Sequence, residues 1–266
     1  ISVGSAAGSP RFKHLLCAWL AGWAKSKDLD PTILARLESN QPGMPFTAEK
    51  DMPLSVCGPE ILLMTRYRPD VSVILDTDTA RAGKAAWKTS QPGFYLLHDG
   101  FSRLDIRRNL DLLVLDGQDI GPGFGRIAPS GTWREHHTAL HRPSAMLLAI
   151  PDQAFTRLKP LAQRRLAKYE KPLFQLKLRI WQLREGLFGA PHRDFGGEPY
   201  ILVCGESEAA MTAAAAEEYF DRPPRIRLVF PDNHRFTAQD IEAILQESGR
   251  ARPGPVLAAP REALKL

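Results

Sequence analysis

The sequence is poor in cysteine, and its three cysteines are not close to one another. Cys17, Cys57 and Cys204 lie far apart, with no Cys-x-x-Cys pair. This spacing argues against both a disulfide framework and a zinc site, and it suits a reducing compartment. The His-Glu-x-x-His motif is also missing. His137 and His141 have helical i, i+4 spacing but no third ligand nearby, so we interpret them as an exposed polar helix face.

Long hydrophobic runs and an acidic excess are missing as well. No apolar run approaches the ~20 residues that a membrane span needs, and no signal peptide is recognisable. The net charge is +5 and the sequence pI about 9.2, which favours anionic partners such as nucleotides, nucleic acid or acidic lipid. The basic segment 155–169 is typical of a solvated or membrane-surface helix. It carries few aromatic residues and no nucleic-acid motif, so we expect no nucleic-acid partner.

Apolar strands alternate with amphipathic helices, which predicts βαβ units and a mostly parallel sheet. A second α/β pattern begins at Tyr200. The chain starts inside a strand at Ile1 and stops within an apolar pattern at Leu266, so we expect both ends to continue in the intact protein. The predicted organisation is an α/β/α lobe over residues 1–173, a strand bridge over 174–190 and a smaller α/β lobe over 191–266.

Acidic residues follow several predicted strands. Asp99 and Asp116 each end one, and Asp232 follows a third with His234 two positions later. Ligands bind at the carboxyl ends of strands in open α/β sheets, where an Asp–His pair can serve acid–base chemistry. Aspartates at strand ends are also common helix caps and turn residues. Both interpretations remain open from these residues alone.

The first strand leads through a small-residue loop containing Gly8 into a helix that begins near Lys13. Strand, loop and helix in this order are typical of a phosphate-binding loop. The Walker pattern would place Gly at positions 7 and 12 and Ser or Thr at 14, whereas this chain has Ala7, Phe12 and His14. By motif alone, a plain β–loop–α connection fits better.

A glycine-rich loop at 121–125 precedes Arg126, Arg134 and Glu135. Such a loop is able to wrap a substrate, although surface turns have the same composition.

Five blocks of this chain together resemble the tetraacyldisaccharide 4'-kinase family, the lipid A 4'-kinases of Gram-negative bacteria. The resemblance covers nearly all of the sequence and depends on the order and spacing of the blocks. The family motifs ISVGN with GKTP, DDGFQH with RDLDIVLLD, GNGRLLPAGPLRE, FPDHHPFT and TEKDAVKL fall on residues 1–15, 98–116, 123–135, 230–237 and 259–266.

The resemblance implies a P-loop-kinase-like fold and transfer of the ATP γ-phosphoryl group to the 4'-hydroxyl of a lipid-linked glucosamine disaccharide. It further implies Mg²⁺, and peripheral attachment to the cytoplasmic leaflet of the inner membrane. The resemblance implies that Lys13, Gly8 and His14 bind the nucleotide and that Asp99 has an acid–base or metal-binding role. It also implies catalytic roles for Asp232 and His234. The substrate cleft would be formed by Arg126, Arg134 and Glu135.

The departures from the family fall on chemical positions. The loop glycines are replaced by residues such as Phe12, His98 stands for the first aspartate of the pair, and Asn233 stands for the first histidine. The turn glycines Gly100 and Gly131 remain. Two hypotheses follow: a divergent lipid kinase, or a catalytically inactive relative that binds a lipid A precursor or a protein partner.

Overall fold

The chain divides into two units, and each unit has its own parallel β-sheet. The computed structural model describes residues 1–7, 12–37, 43–186, 189–194, 197–249 and 254–266. The first unit comprises residues 1–149 and 154–176, and the second comprises 150–153 and 177–266. The predicted α/β class with a mostly parallel sheet is confirmed.

The first unit is built on an eight-stranded sheet with the strand order β3-β4-β2-β5-β1-β6-β7-β8. All neighbouring strands are parallel except β3 and β4, which are antiparallel. The strands are β1 (Ser2–Gly4), β2 (Pro31–Arg36), β3 (Phe46–Thr47), β4 (Ser72–Asp76), β5 (Phe94–His98), β6 (Asp111–Leu115), β7 (Ala145–Ala149) and β8 (Leu173–Leu176).

Five α-helices connect these strands, together with 3-10 helices at His137–His141 and Ala167–Tyr169. Helix α2 has a local break at Gly58, where φ is 76°. The helices are α1 (Lys13–Lys25), α2 (Leu54–Tyr67), α3 (Thr79–Thr89), α4 (Gly117–Ile120) and α5 (Asp152–Leu166).

The central strands bury both faces, as expected for parallel strands covered by helices. The register aligns Val3 with His98 and Gly4 with Leu113, so β1 and β5 end within one residue of each other and β6 continues two residues further, to Leu115. A Cβ atom on Gly4 would lie 2.5 Å from the Cβ of Phe101. Glycine is therefore required where the loop after β1 passes the turn after β5.

The second unit contains a three-stranded parallel sheet with the order β12-β11-β13 and a short antiparallel pair, β9 and β10. The predicted bridge 174–190 thus includes most of β8, an edge strand of the first sheet, and all of β9. The elements are β9 (Leu183–Arg184), β10 (Pro191–His192), β11 (Ile201–Gly205), α6 (Ala209–Phe220), β12 (Ile226–Phe230), α7 (Ala238–Gly249), β13 (Val256–Ala258) and α8 (Pro260–Ala263).

Tyr200, Leu202 and Cys204 form the core of this second sheet, with Ala213 and Ala216 of α6 packed on them. Among the residues that the structure describes, no helix is both long enough and apolar enough to cross a membrane.

Candidate functional site

Two of the predicted site residues, Lys13 and Asp99, form an ion pair in the first unit. Lys13 Nζ donates to Asp99 Oδ1 at 2.5 Å. The Lys13 side chain is only 4% exposed, whereas that of Asp99 is 37% exposed. Lys13 is the first residue of α1, and Asp99 follows β5 with a positive φ of 54°. The pair therefore lies where the β1–α1 connection meets the carboxyl end of β5.

The electrostatics around Asp99 favour its ionised form. Burial acts to raise the pKa of this carboxyl, but Lys13, His98 and Arg134 outweigh burial, so the pKa is held below its usual value. Arg134 Nη1 lies 3.8 Å from Asp99 Oδ2, and its side chain is more than half exposed. One carboxylate thus faces one buried cation and one exposed cation.

Behind this pair, His98 is buried and faces Glu60 of α2. His98 Nε2 lies 3.5 Å from Glu60 Oε2. Burial lowers the pKa of His98, and nearby Lys13 acts in the same direction, against the raising effects of Glu60 and Asp99. The imidazole is therefore neutral near pH 7. It occupies the position at which the resembled family has its first aspartate.

The loop after β1 contacts the segment that follows the glycine-rich loop at 121–125. Ala7 forms an antiparallel bridge with Trp133, and Arg134 N donates to Ala6 O at 2.7 Å. The Trp133 ring is fully buried and packs edge-on against Phe124 at 5.5 Å. This attachment places Arg134 beside Asp99.

The Glu135 carboxylate is held by two neighbouring side chains. Ser102 Oγ donates to Glu135 Oε1 at 2.6 Å, and Arg142 Nη2 lies 2.6 Å from Oε2. Arg142 also covers the buried ring of Phe101 at 4.4 Å and donates to the Phe101 carbonyl at 3.3 Å. This network braces the turn that follows Asp99. A shallow open groove lies beside it, lined by Glu135, His136, Thr138, Ala139 and Arg142.

Three further predicted residues of the first unit are described by the structure, namely Arg126, His14 and Asp116. Arg126 is exposed, and its carbonyl accepts from Trp133 N. His14 is buried in the first turn of α1, and Gly8 lies outside the described residues. Asp116 is a helix cap: its carboxylate accepts from Gln118 N and Asp119 N at the start of α4.

In the second unit, Asp232 and His234 follow β12 but take different partners. Asp232 Oδ1 accepts from Ser207 N at 3.1 Å and from Ser207 Oγ at 2.9 Å. His234 Nε2 lies 3.1 Å from Asp240 Oδ2. The Asp232–His234 pairing suggested by the sequence is therefore corrected: the carboxylate partner of His234 is Asp240. The rings of Phe230 and Phe236 lie against the imidazole, at 4.9 and 5.0 Å.

Sequence reasoning missed three partners of the predicted residues: Glu60 beside His98, Arg142 beside Glu135 and Asp240 beside His234. Glu60 and Arg142 come from elements far from Asp99 along the chain, and no local spacing indicates them. Asp240 carried a signal, because it stands three residues after Thr237 in a capping-box pattern. In the structure Asp240 Oδ2 accepts from Thr237 N at 2.8 Å while holding His234.

The histidines near position 137 contact aromatic side chains. His137 Nδ1 lies 3.0 Å from the Tyr169 hydroxyl, and the His141 ring lies 4.8 Å from the Tyr169 ring. The prediction of an exposed polar helix face is therefore wrong for His137, which is half-buried. Within the described part of the chain, no group of three or more His, Cys, Asp or Glu residues is arranged to hold a metal ion.

Comparison with known proteins gives a consistent result along the whole chain. The family model of LpxK, described as tetraacyldisaccharide-1-P 4'-kinase, matches residues 1–266. Among curated proteins, the tetraacyldisaccharide 4'-kinase of Nitratidesulfovibrio vulgaris is 34% identical over 269 residues, covering 100% of this chain and 74% of the relative. The same enzyme from Oleidesulfovibrio alaskensis is 29% identical over 270 residues, with the same coverage.

A solved structure also matches. The crystal structure of LpxK from Aquifex aeolicus in complex with ATP superposes with a TM-score of 0.64 at 21% identity, covering 100% of this chain and 78% of that chain. This similarity concerns the fold, whereas the sequence matches identify the protein family. On the match over residues 1–266 and the 34% identity, the chain belongs to the tetraacyldisaccharide 4'-kinase family.

Proposed function

We propose that this protein acts in lipid A biosynthesis by transferring the γ-phosphoryl group of ATP to the 4'-hydroxyl of a tetraacyl glucosamine disaccharide lipid. The observation that carries the proposal is the Lys13–Asp99 pair at the start of α1, 2.5 Å between Nζ and Oδ1. Phosphoryl transfer requires mainly positioning and charge neutralisation, which a buried lysine at a helix N-terminus beside a carboxylate can supply.

The nucleotide phosphates would engage Lys13 and the first turn of α1, where backbone N–H groups point out of the helix. Lys13 would exchange its contact with Asp99 for contacts to phosphate oxygens. Arg134, exposed and 3.8 Å from Asp99 Oδ2, would add positive charge on the same side. We assign Gly8 and His14 to the nucleotide loop on the family resemblance.

Asp99 fits a Mg²⁺ ion that arrives with the nucleotide. Mg²⁺ is usually held by one or two protein carboxylates together with substrate phosphates, and Asp99 is partly exposed and ionised. When bound, the ion would neutralise charge on the phosphates. Asp99 would be the residue of this unit that holds it.

Acid–base work on the acceptor hydroxyl is assigned to His234, with Asp232 in the same turn. Asp240 accepts a hydrogen bond from Nε2–H in one imidazole tautomer, which leaves Nδ1 as a base. Arg126, Arg134 and Glu135 are assigned to the substrate side, where Glu135 acts by bracing the turn after Asp99. The lipid acceptor implies peripheral attachment to the cytoplasmic leaflet of the inner membrane, with no nucleic-acid partner.

A second candidate function is favoured by the residues that precede Lys13. Phe12 is buried and has a φ of 60°, so an aromatic side chain lies where a phosphate loop normally has glycine. In this alternative the protein is a catalytically inactive relative that binds a lipid A precursor or a protein partner.

Calorimetry with MgATP, paired with a kinase assay on a lipid A disaccharide precursor, separates these candidates. The Lys13→Ala variant should lose nucleotide binding and 4'-phosphate formation, on the order of 10³-fold in kcat/KM, because no other group replaces the ammonium. The matched control is Lys25→Ala, which removes an exposed lysine paired with Asp30 at the other end of the same helix.

Three outcomes of these measurements separate the two candidate functions. Nucleotide binding and product in the wild type, both lost only in Lys13→Ala, support the kinase. Binding without product supports the inactive relative. No binding at millimolar nucleotide contradicts the assignment of Lys13 to phosphate.

A further inference from the structure

The second unit contains a buried cluster of charged side chains at the carboxyl end of its sheet, next to the turn that carries His234. We name it the C-terminal charge cluster. Three carboxylates and two cations compose it: Glu208, Asp232, Glu262, Arg261 and Lys265. The side chains of Glu208, Arg261 and Glu262 are at most 5% exposed, and that of Lys265 is 10% exposed.

The contacts of this cluster converge on Asp232. Lys265 Nζ donates to the Asp232 carbonyl at 2.7 Å and lies 3.6 Å from Glu262 Oε1. Arg261 Nη1 lies 3.7 Å from Asp232 Oδ1 and 3.8 Å from Glu208 Oε1. Charges are buried in this way only when they are paired, because desolvation of each one is costly.

The same charged side chains pack closely against the end of strand β11. A Cβ atom on Gly205, the last residue of β11, would lie 2.8 Å from Glu262 Oε1 and 2.9 Å from Asp232 Oδ1. Two carboxylates therefore lie against the end of this strand, and a side chain at position 205 would have to displace their oxygens.

The cluster lies two residues from His234. His234 N donates to Pro231 O at 2.8 Å, which closes the turn 231–234, and Lys265 binds the carbonyl of the second residue of this turn. The imidazole contacts Asp240, Phe230 and Phe236. It reaches these partners from the backbone of the turn, so a displaced turn would change the orientation of the ring. Lys265 is the cation that reaches the turn backbone directly.

We propose that Lys265 is a positioning residue, which holds the Asp232 carbonyl and so fixes the turn that presents His234, with Glu262 orienting the Lys265 ammonium. The inference rests on the proposed function only in giving His234 an acid–base role. The placement of the imidazole is independent of whether the protein phosphorylates a lipid.

Nitrogen-15 NMR of the histidine rings in the 266-residue chain tests this placement without an activity measurement. The His234→Gln variant identifies the His234 signals among those of the seven histidines. In Lys265→Met, the ring-nitrogen chemical shifts of His234 should change, and Lys265→Arg should restore them in part. The matched control is Lys177→Met, which removes an exposed lysine paired with Asp152.

The kinase assay provides a second measurement on the same variant. If the proposed function holds, Lys265→Met should lower kcat by about 10- to 100-fold with the KM for ATP unchanged, as expected for a misplaced acid–base group. A wild type without kinase activity would contradict the proposed function and leave the NMR result to decide the positioning role.

The inference is overturned if folded Lys265→Met gives the same His234 ring signals as the wild type. If Lys265→Met does not fold, Lys265→Gln replaces it, because its side chain is polar but shorter and uncharged, so it gives up the ammonium contact with the Asp232 carbonyl. Unchanged His234 signals in folded Lys265→Gln would equally overturn the proposal.

Discussion

Asp99 and Asp232 occupy equivalent places in the two units, and the fold uses them in opposite ways. Each follows a parallel strand, and each has a histidine within two positions along the chain. The Asp99 carboxylate is neutralised directly by a buried lysine at 2.5 Å. The Asp232 carboxylate accepts hydrogen bonds from the neutral Ser207 and has Arg261 Nη1 only at 3.7 Å, while Lys265 binds the main-chain carbonyl.

The difference shows what each carboxylate is suited to do. A carboxylate held by an exchangeable cation can release that cation to an incoming anion, as phosphate chemistry requires. A carboxylate that accepts from a backbone N–H and a serine shapes a turn and does not need to change partners. The same sequence feature, an aspartate after an apolar strand, therefore predicts the location of a site but not its chemistry.

The largest effect on stability is expected from Asp99→Asn. This change leaves the buried Lys13 ammonium without its charged partner and should lower the free energy of unfolding by about 2–3 kcal/mol at pH 7, less than a fully buried pair because Asp99 is partly exposed. Urea denaturation measures the change. Because the pKa of Asp99 is depressed in the fold, its contribution is present above pH ~4 and is lost as the pH falls through the folded pKa.

Asp30→Asn is the control, since it breaks the exposed pair of Lys25 and Asp30 and should change stability by less than about 1 kcal/mol. Equal losses in the two variants would show that the buried lysine does not depend on Asp99.

An intermediate effect is expected from His98→Gln, read as a change in the pH dependence of stability. Burial lowers the pKa of His98 in the folded state, so the unfolded chain binds the proton more readily between that pKa and about 6.5. The wild type should lose stability as the pH falls below about 6.5, with a slope of at most ~1.4 kcal/mol per pH unit from this residue.

The variant should lose that part of the slope, as measured by thermal unfolding between pH 5 and 8 at about half-unit steps. A slope that survives in His98→Gln would assign the acid sensitivity to another group.

The smallest effect is expected from Asp232→Asn. The amide oxygen can still accept from Ser207 N and Oγ, and Arg261 keeps its contact with Glu208, so unfolding should become easier by about 1 kcal/mol or less. Denaturation under the conditions used for Asp99→Asn gives the direct comparison. A loss as large as that of Asp99→Asn would remove the distinction between the two carboxylates.

The fold followed from the sequence where the local signal was strong. Buried parallel strands appear as short apolar runs, and the two strands predicted to end at Asp99 and Asp116 are observed as β5 and β6. Strand β3 was missed because its two residues lie in a polar, proline-containing segment and pair antiparallel at an edge. Its formation depends on a tertiary contact with β4, which no local pattern contains.

The site was predictable to a smaller extent. Lys13 and Asp99 were both named from the chain, but their direct ion pair depends on the parallel register of β1 and β5. His234 was named with the wrong carboxylate, because the turn after β12 directs its ring toward α7. Sequence spacing identifies groups at strand ends, whereas the turn conformation selects which of them meet.

The attachment of Ala7 to Trp133 has a consequence for how this chain tolerates length changes. Loops rich in glycine and proline usually accept inserted residues, because few contacts hold them. In the segment that ends at Arg134, an added residue would shift the Trp133 ring out of its buried place and move the Arg134 amide away from Ala6. Natural and engineered length variation in this protein should therefore be found on other surface connections, while this one keeps its residue count.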